Sequence, residues 1–313
     1  GHSRVLSVLH DLNADFEVQC PVYRYSALML AAKSHNADCL RLLALWKCRL
    51  DATDSCRRNV VECACMCGSQ GYNPGPGGGA VHWGGVEGAM ESCLMTLKDA
   101  GCDMDRMNPR LGTTPLLQVA QLGHVGAFRC LLGLGCDIGV VSSSGDGVAH
   151  YAVGDDGDHC DRLALLRFLH ERQIDMRRPG SGGKTPLHWA AGHDLEHCVR
   201  LILQECCCDP NAVDQQGQSP GWAAADLGNL CVLKALHENG ATFAQRDHRW
   251  DWTVRDVATH GQSQCSECIA WLESINAPTA HLHDDQAATQ ANYTAHLHGI
   301  VEQAMNHAMS DSV

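Results

Sequence analysis

One short motif recurs along the chain at a nearly constant interval. In its clearest copy, at residues 184–191, Thr185 can cap a helix, Pro186 suits the first helical position, and two alanines let a second helix pack closely. The equivalent position recurs after 33, 38, 34 and 34 residues, at Pro115, Val148, Pro186, Pro220 and Val254. Five copies in register predict a chain assembled from repeated helical units, because a fixed period of about 20–50 residues is the signature of repeat architectures.

Weaker copies extend the pattern toward the N-terminus. Residues 1–13 have the apolar spacing of one helix, the second of a partial unit, and residues 26–32 carry a degenerate motif. Residues 59–67 follow 33 positions later as another first helix, and a second helix is expected near residues 90–98. A Gly-rich insertion at about 68–88 therefore separates these two helices. Residues 80–85 also fit the motif, but the pair Gly84–Gly85 makes them a poor helix.

The sequence T-P-L-H-W-A-A at residues 185–191 resembles the start of an ankyrin repeat, whose period is about 33 residues. The resemblance covers residues 1–277 and implies an all-α ankyrin-repeat solenoid of about seven repeats. Its helix–turn–helix units are expected to be joined by β-hairpin or loop connections. The resemblance further implies that His188 and His150, at the histidine position of the motif, tie neighbouring backbone segments together. Such an architecture serves binding by default, although the fold alone does not specify a function.

A C-terminal tail, residues 278–313, follows the last repeat. Its apolar side chains predict an amphipathic helix at about 290–309. This helix could cover the exposed face of the last repeat, as terminal caps do, or it could dock into a partner. The capping role is favoured, because an end repeat needs covering.

Net charge and cysteine content indicate which kind of partner and which compartment suit the chain. The formal net charge is −13, from 23 basic and 36 acidic residues, which argues against nucleic acid as the main partner. No apolar run approaches the ~20 residues that would span a bilayer. Most of the 19 cysteines, Cys102, Cys136 and Cys198 among them, occupy positions of small core residues. We therefore expect free thiols and an intracellular, reducing compartment, first of all the cytoplasm, with an organelle left open.

The sequence offers no recognisable catalytic motif. It has no nucleophile elbow, phosphate-binding glycine loop or H-E-x-x-H sequence. Cys63, Cys65 and Cys67 have the wrong spacing for zinc, and Cys265–Cys268 lacks a second pair of ligands. We therefore expect no enzyme, no cofactor and no bound metal.

The partner-binding surface is expected at the hairpin tips and on the exposed side of the first helices, where repeat packing does not dictate the side chain. Arg249, Trp250 and Trp252 are the strongest candidates, because Trp and Arg are enriched among interface hot spots. The full predicted set comprises Tyr23, Tyr25, Lys33, Arg110, Gln121, Leu122, Asp146, Lys184, His193, Gln215, Gln216, Gln218, Asp226, Arg249, Trp250 and Trp252.

Three functions fit these observations. The first is a non-catalytic scaffold or adaptor that binds a protein partner through the tips and the concave first-helix face. The second is a stoichiometric accessory subunit of a large multi-protein assembly, which the degenerate motifs, the insertion and the tail favour. The third is a regulatory ankyrin module cut from a larger enzyme or channel. The sequence identifies no individual partner.

Overall fold

The computed structural model describes residues 3–65, 87–154 and 159–279, and every regular element within them is helical. The all-α prediction is thereby confirmed. Two compact units divide the chain, unit 1 at Gly1–Asp175 and unit 2 at Met176–Val313. This division falls inside the predicted repeat domain of residues 1–277.

Unit 1 is built from short helices in two layers. Helices α2, α4, α6 and α8 contact one another in succession, and α1, α3, α5, α7 and α9 form the second layer in the same way. Each first helix also packs on the second helix that follows it, which buries a continuous core between the layers. The bounds are α1 Ser3–Asp11, α2 Ala27–Lys33, α3 Ala37–Leu45, α4 Val60–Cys65, α5 Glu87–Asp99, α6 Pro115–Gln121, α7 Val125–Gly133, α8 Val148–Ala152 and α9 His159–Glu171.

Unit 2 repeats the same plan with three helix pairs. Its first helices α10, α12 and α14 are in contact in that order, as are its second helices α11, α13 and α15. The bounds are α10 Pro186–Gly192, α11 Glu196–Gln204, α12 Pro220–Leu227, α13 Leu230–Glu238, α14 Val254–His260 and α15 Ser266–Ser274, with a 3₁₀ turn at Ser181–Gly183. None of the helices in the described parts of either unit is long and apolar enough to cross a membrane.

The motif histidine performs the structural role that the repeat pattern predicts. His188 is buried, and its Nδ1 accepts from the backbone N–H of Thr185 at 3.1 Å. Its Nε2 lies 3.0 Å from the carbonyl oxygen of Gln218, in the following repeat. Because Nδ1 accepts, the proton lies on Nε2 and is donated to Gln218. In unit 1, His150 Nδ1 accepts from the N–H of Gly147 at 3.2 Å in the same manner.

A carboxylate takes the histidine position in α4. Glu62 is fully buried, and its Oε2 accepts from the backbone N–H of Asn59 at 2.6 Å. Its Oε1 accepts from Asn108 Nδ2 at 3.0 Å and from Gln118 Nε2. Burial raises the pKa of the Glu62 carboxyl, and the hydrogen bonds from Asn108, Asn59 and Gln118 oppose that increase. The buried carboxyl group of Glu62 therefore connects the start of α4, the tip before α6 and helix α6 itself.

Two sequence predictions fall largely outside the described residues. Of the predicted insertion at 68–88, only the last two residues are described, and they belong to α5, which begins at Glu87. Of the predicted tail at 278–313, the structure describes only residues 278 and 279, and the helix at about 290–309 lies outside.

Candidate protein-binding surface

The hairpin tips are the segments that precede the first helices. In unit 1 they span residues 20–25, 54–58, 106–113 and 142–147, and in unit 2 residues 180–184, 214–218 and 247–252. A buried polar side chain anchors several of them: Asp54 Oδ1 accepts from the backbone N–H groups of Cys56 and Arg58, both at 2.8 Å. Asp214 Oδ1 does the same for Gln216 and Gln218, at 2.8 and 2.9 Å. These anchors hold each tip in one conformation.

Backbone hydrogen bonds connect neighbouring tips within each unit. In unit 1 the N–H of Ser55 donates to the carbonyl of Tyr23 at 2.9 Å, and that of Ser143 donates to Gly112 at 2.8 Å. In unit 2 the N–H of Gln215 donates to the carbonyl of Gly182 at 2.9 Å. The tips of each unit therefore present their side chains from an ordered row.

The tip position two residues before the first helix cap has a left-handed backbone in every described repeat that has a tip. Glycine occupies it at Gly112, Gly145, Gly183 and Gly217. Arg24 and Arg57 occupy it in the first two tips of unit 1, with φ of 56° and 62°, and Asp251 occupies it in the last tip of unit 2, with φ of 56°. These two arginines were not predicted from the sequence, although their spacing from the first helix that follows would have been enough to identify them.

Four of the predicted contact residues are buried, and the expectation that they are exposed is wrong for these four. They are Tyr25, Asp146, Asp226 and Trp252. Asp226 binds the loop after α14, because its Oδ1 accepts from the N–H of Gln262 at 2.9 Å. Trp252 packs beside Trp250 with ring centroids 5.9 Å apart, and it is 2% exposed. Tyr25 and Asp226 are bound by groups of the following repeat, and the sequence position alone did not reveal the burial of any of the four.

The remaining predicted residues are exposed or half-buried. Tyr23, Arg110, Lys184, Gln215, Gln216 and Arg249 are exposed, and Lys33, Gln121, Leu122, His193, Gln218 and Trp250 are half-buried. Their direct contact with a partner stays a prediction. In unit 2, Arg249 lies over the ring of Trp250 at 4.9 Å, so the two present one cation–π surface at the tip.

Two of the predicted residues, Tyr25 and Lys33, are in contact in unit 1, and a third, Tyr23, lies beside the ring of Tyr25. Lys33 Nζ and Arg58 Nη2 each donate to this oxygen at 3.1 Å. Arg58 Nε also donates to the buried carboxylate of Asp54 at 2.7 Å. The ring of Tyr23 lies 5.8 Å from that of Tyr25. Two cations and two aromatic rings therefore converge on the first two tips.

Burial keeps several core thiols from ionising. Burial raises the pKa of Cys63 and of Cys136 to about 12, and that of Cys93 to about 11, so these thiols stay protonated near neutral pH. Among the described residues, no three His, Cys, Asp or Glu side chains are grouped as a metal ion would require. The three cysteines with the wrong spacing for zinc, Cys63, Cys65 and Cys67, are only partly described, because Cys67 lies outside the described residues.

Comparison with known proteins identifies the repeats. A sequence profile described as Ankyrin repeats matches residues 158–247 in three copies. The chain contains ankyrin repeats. The crystal structure of the human ASB11 ankyrin repeat domain matches with a TM-score of 0.61 at 19% identity, covering 82% of this chain and 100% of that one. No curated protein sequence matches.

A second solved ankyrin repeat domain supports the same fold. It is that of Bcl-3, described as a unique member of the IkappaB protein family, with a TM-score of 0.56 at 19% identity. The match covers 80% of this chain and 98% of that one. At this identity the similarity establishes the ankyrin fold of the chain and carries no partner over to it.

Proposed function

We propose that this ankyrin-repeat chain is a non-catalytic scaffold that binds a protein partner through its hairpin tips and first helices. One observation carries the proposal: the tips form ordered rows whose outward side chains, among them Tyr23, Gln215 and Gln216, are exposed to solvent. Rigid presentation of exposed aromatic and polar groups lowers the entropy cost of association. The motif histidines, in contrast, are used by the fold.

The buried thiols support a reducing setting for this function. Cys63, Cys65, Cys93 and Cys136 fill core positions between the helix layers, where oxidation would disrupt packing. An intracellular compartment such as the cytoplasm would keep them reduced.

Affinity capture followed by mass spectrometry tests the proposal. The tagged full chain is compared with a tip variant, Tyr23→Ala/Trp250→Ala, and with a matched variant in the second-helix layers, Met95→Ala/Cys231→Ala, whose side chains are also solvent-accessible. We expect a protein that co-purifies with the wild type and the second-layer variant at equal yield, and with the tip variant at reduced yield. The proposal is refuted by a partner whose yield falls only with the second-layer variant, or by capture of no protein at all.

An accessory subunit of a large assembly is the second candidate function. Helix α1 has no buried residue; Val5, Val8 and Leu9 are exposed on it, and Leu12, just after its end, is exposed as well. Apolar area of this kind favours a permanent neighbour, because stable complexes cover such surfaces. Size-exclusion chromatography with light scattering of the endogenous protein distinguishes this candidate. A mass equal to that of a single copy of the protein would exclude permanent assembly.

A further inference from the structure

We propose that the first two tips of unit 1, residues 20–25 and 54–58, bind an acidic peptide segment of a partner protein. The inference rests on the proposed protein-binding function and names the chemistry of the partner. The two segments are called the arginine tips below. Their backbones are joined by the hydrogen bond from Ser55 to Tyr23, so they form one continuous surface.

The backbone places two arginines at a position where four other tips have glycine and the last tip of unit 2 has Asp251. Arg24 and Arg57 lie at the left-handed tip position, which Gly112 and Gly145 occupy in the other two tips of unit 1. An L side chain is disfavoured there, and such strain persists at sites where the side chain has a use. Both arginines are exposed, so packing against the core does not account for them.

Two further cations stand beside these arginines. Lys33 Nζ and Arg58 Nη2 both reach the hydroxyl of Tyr25, and the carboxylate of Asp54 pairs with the Nε of Arg58. Asp54 is buried and is the only acidic residue within the arginine tips. Among the described residues, no carboxylate forms an ion pair with Arg24 or Arg57. A positive surface therefore stands on a chain whose net charge is −13.

Exposed apolar groups make the surface suitable for a peptide. Val22 is 71% exposed and Tyr23 60% exposed, next to Arg24. A segment that alternates Asp or Glu with an aliphatic residue could place carboxylates on the arginines and its apolar side chain on the ring of Tyr23. A nucleic acid would gain nothing from Val22, and the negative charge of the rest of the chain would repel its phosphates.

Selection from a phage-displayed library of random 12-residue peptides, with the full chain as bait, tests the inference. We expect the enriched peptides to be net negative and to carry an aliphatic or aromatic residue. One enriched peptide is then synthesised, and its Kd is measured by fluorescence anisotropy against three variants. These are Arg24→Glu/Arg57→Glu, Arg24→Gly/Arg57→Gly, and the control Lys234→Glu, an exposed charge reversal on α13 in unit 2.

The glycine variant separates binding from folding. Glycine relieves the left-handed strain, so we expect this variant to melt no lower than the wild type while its Kd rises. The glutamate variant is expected to bind at least about tenfold more weakly, the Lys234→Glu control within about twofold of the wild type, and all binding to weaken with salt. Circular dichroism confirms that each variant is folded.

The outcomes distinguish the inference from the proposed function. Enriched peptides without an excess of Asp and Glu, or no enrichment at all, overturn the inference. Equal Kd values for the wild type and the glutamate variant also overturn it. In each case the scaffold function stands as long as affinity capture still yields a partner that depends on the tips. Loss of that partner refutes the scaffold function itself.

Discussion

Replacing Glu62 by alanine should destabilise unit 1 more than any surface change of similar size. The substitution leaves two buried donors without an acceptor, the N–H of Asn59 and Nδ2 of Asn108, and removes one of the two acceptors of Gln118 Nε2, which keeps Thr113 Oγ1. A buried donor without a partner costs about 1 kcal/mol or more, so we expect a loss of about 2 kcal/mol or more in the free energy of unfolding. Urea titration followed by circular dichroism measures it. Glu91→Ala, at an exposed position on α5, is the matched control and should change stability by less than about 0.5 kcal/mol.

The pH dependence of Glu62 has a definite sign. Its pKa is raised in the folded chain, so the folded state holds the proton more strongly than the unfolded state. The contribution of Glu62 to stability is therefore largest below the unfolded pKa of about 4.3 and falls as the pH rises through the folded pKa. Glu62→Gln cannot titrate, so the stability of the wild type relative to this variant should decrease across that window. Equal stability of Glu62→Ala and the wild type, or a relative stability that increases with pH, would refute the reasoning.

Three further predictions concern the tips, the last repeat and the thiols. Gly217→Ala should lower stability more than Gly240→Ala: both have positive φ, but only at Gly217 would the new Cβ lie 2.7 Å from a carbonyl oxygen of the next tip, and thermal melts compare them. Trp252→Ala should cost about 3–5 kcal/mol in urea unfolding because its ring is buried, and a cost below about 1 kcal/mol would contradict that packing. Burial raises the pKa of Cys93 to about 11, so this thiol should resist iodoacetamide at pH 8 while the exposed Cys231 is labelled. Peptide mass spectrometry measures the labelling, and comparable labelling of both cysteines would contradict the prediction.

The helix positions were predictable from the sequence because repeat packing imposes them. The residues that begin α6, α8, α10, α12 and α14 are the five that the motif spacing marked. Each first helix buries the same face against its neighbours, so apolar and small residues recur at a fixed interval. The tie between His188 and the next repeat followed from the same pattern and is confirmed.

The tips were less predictable because different residue types anchor their backbones. The anchoring position holds Asp54, Asn108, Ser142 and Asp214, so no single residue type marks it. It lies six residues before the start of the following helix in three of these tips and seven residues before it at Asn108. Burial of Trp252 likewise depends on packing in three dimensions, which a tip position in the sequence does not convey.

Site-specific photo-crosslinking tests the central claim, that a protein partner contacts the tips, most directly. A benzophenone amino acid replaces Tyr23 in a tip or Met95 on the outer side of α5; the two side chains are 60% and 50% exposed. After irradiation in cells, the account predicts a discrete protein adduct from position 23 and none from position 95. An adduct from position 95 alone would contradict it.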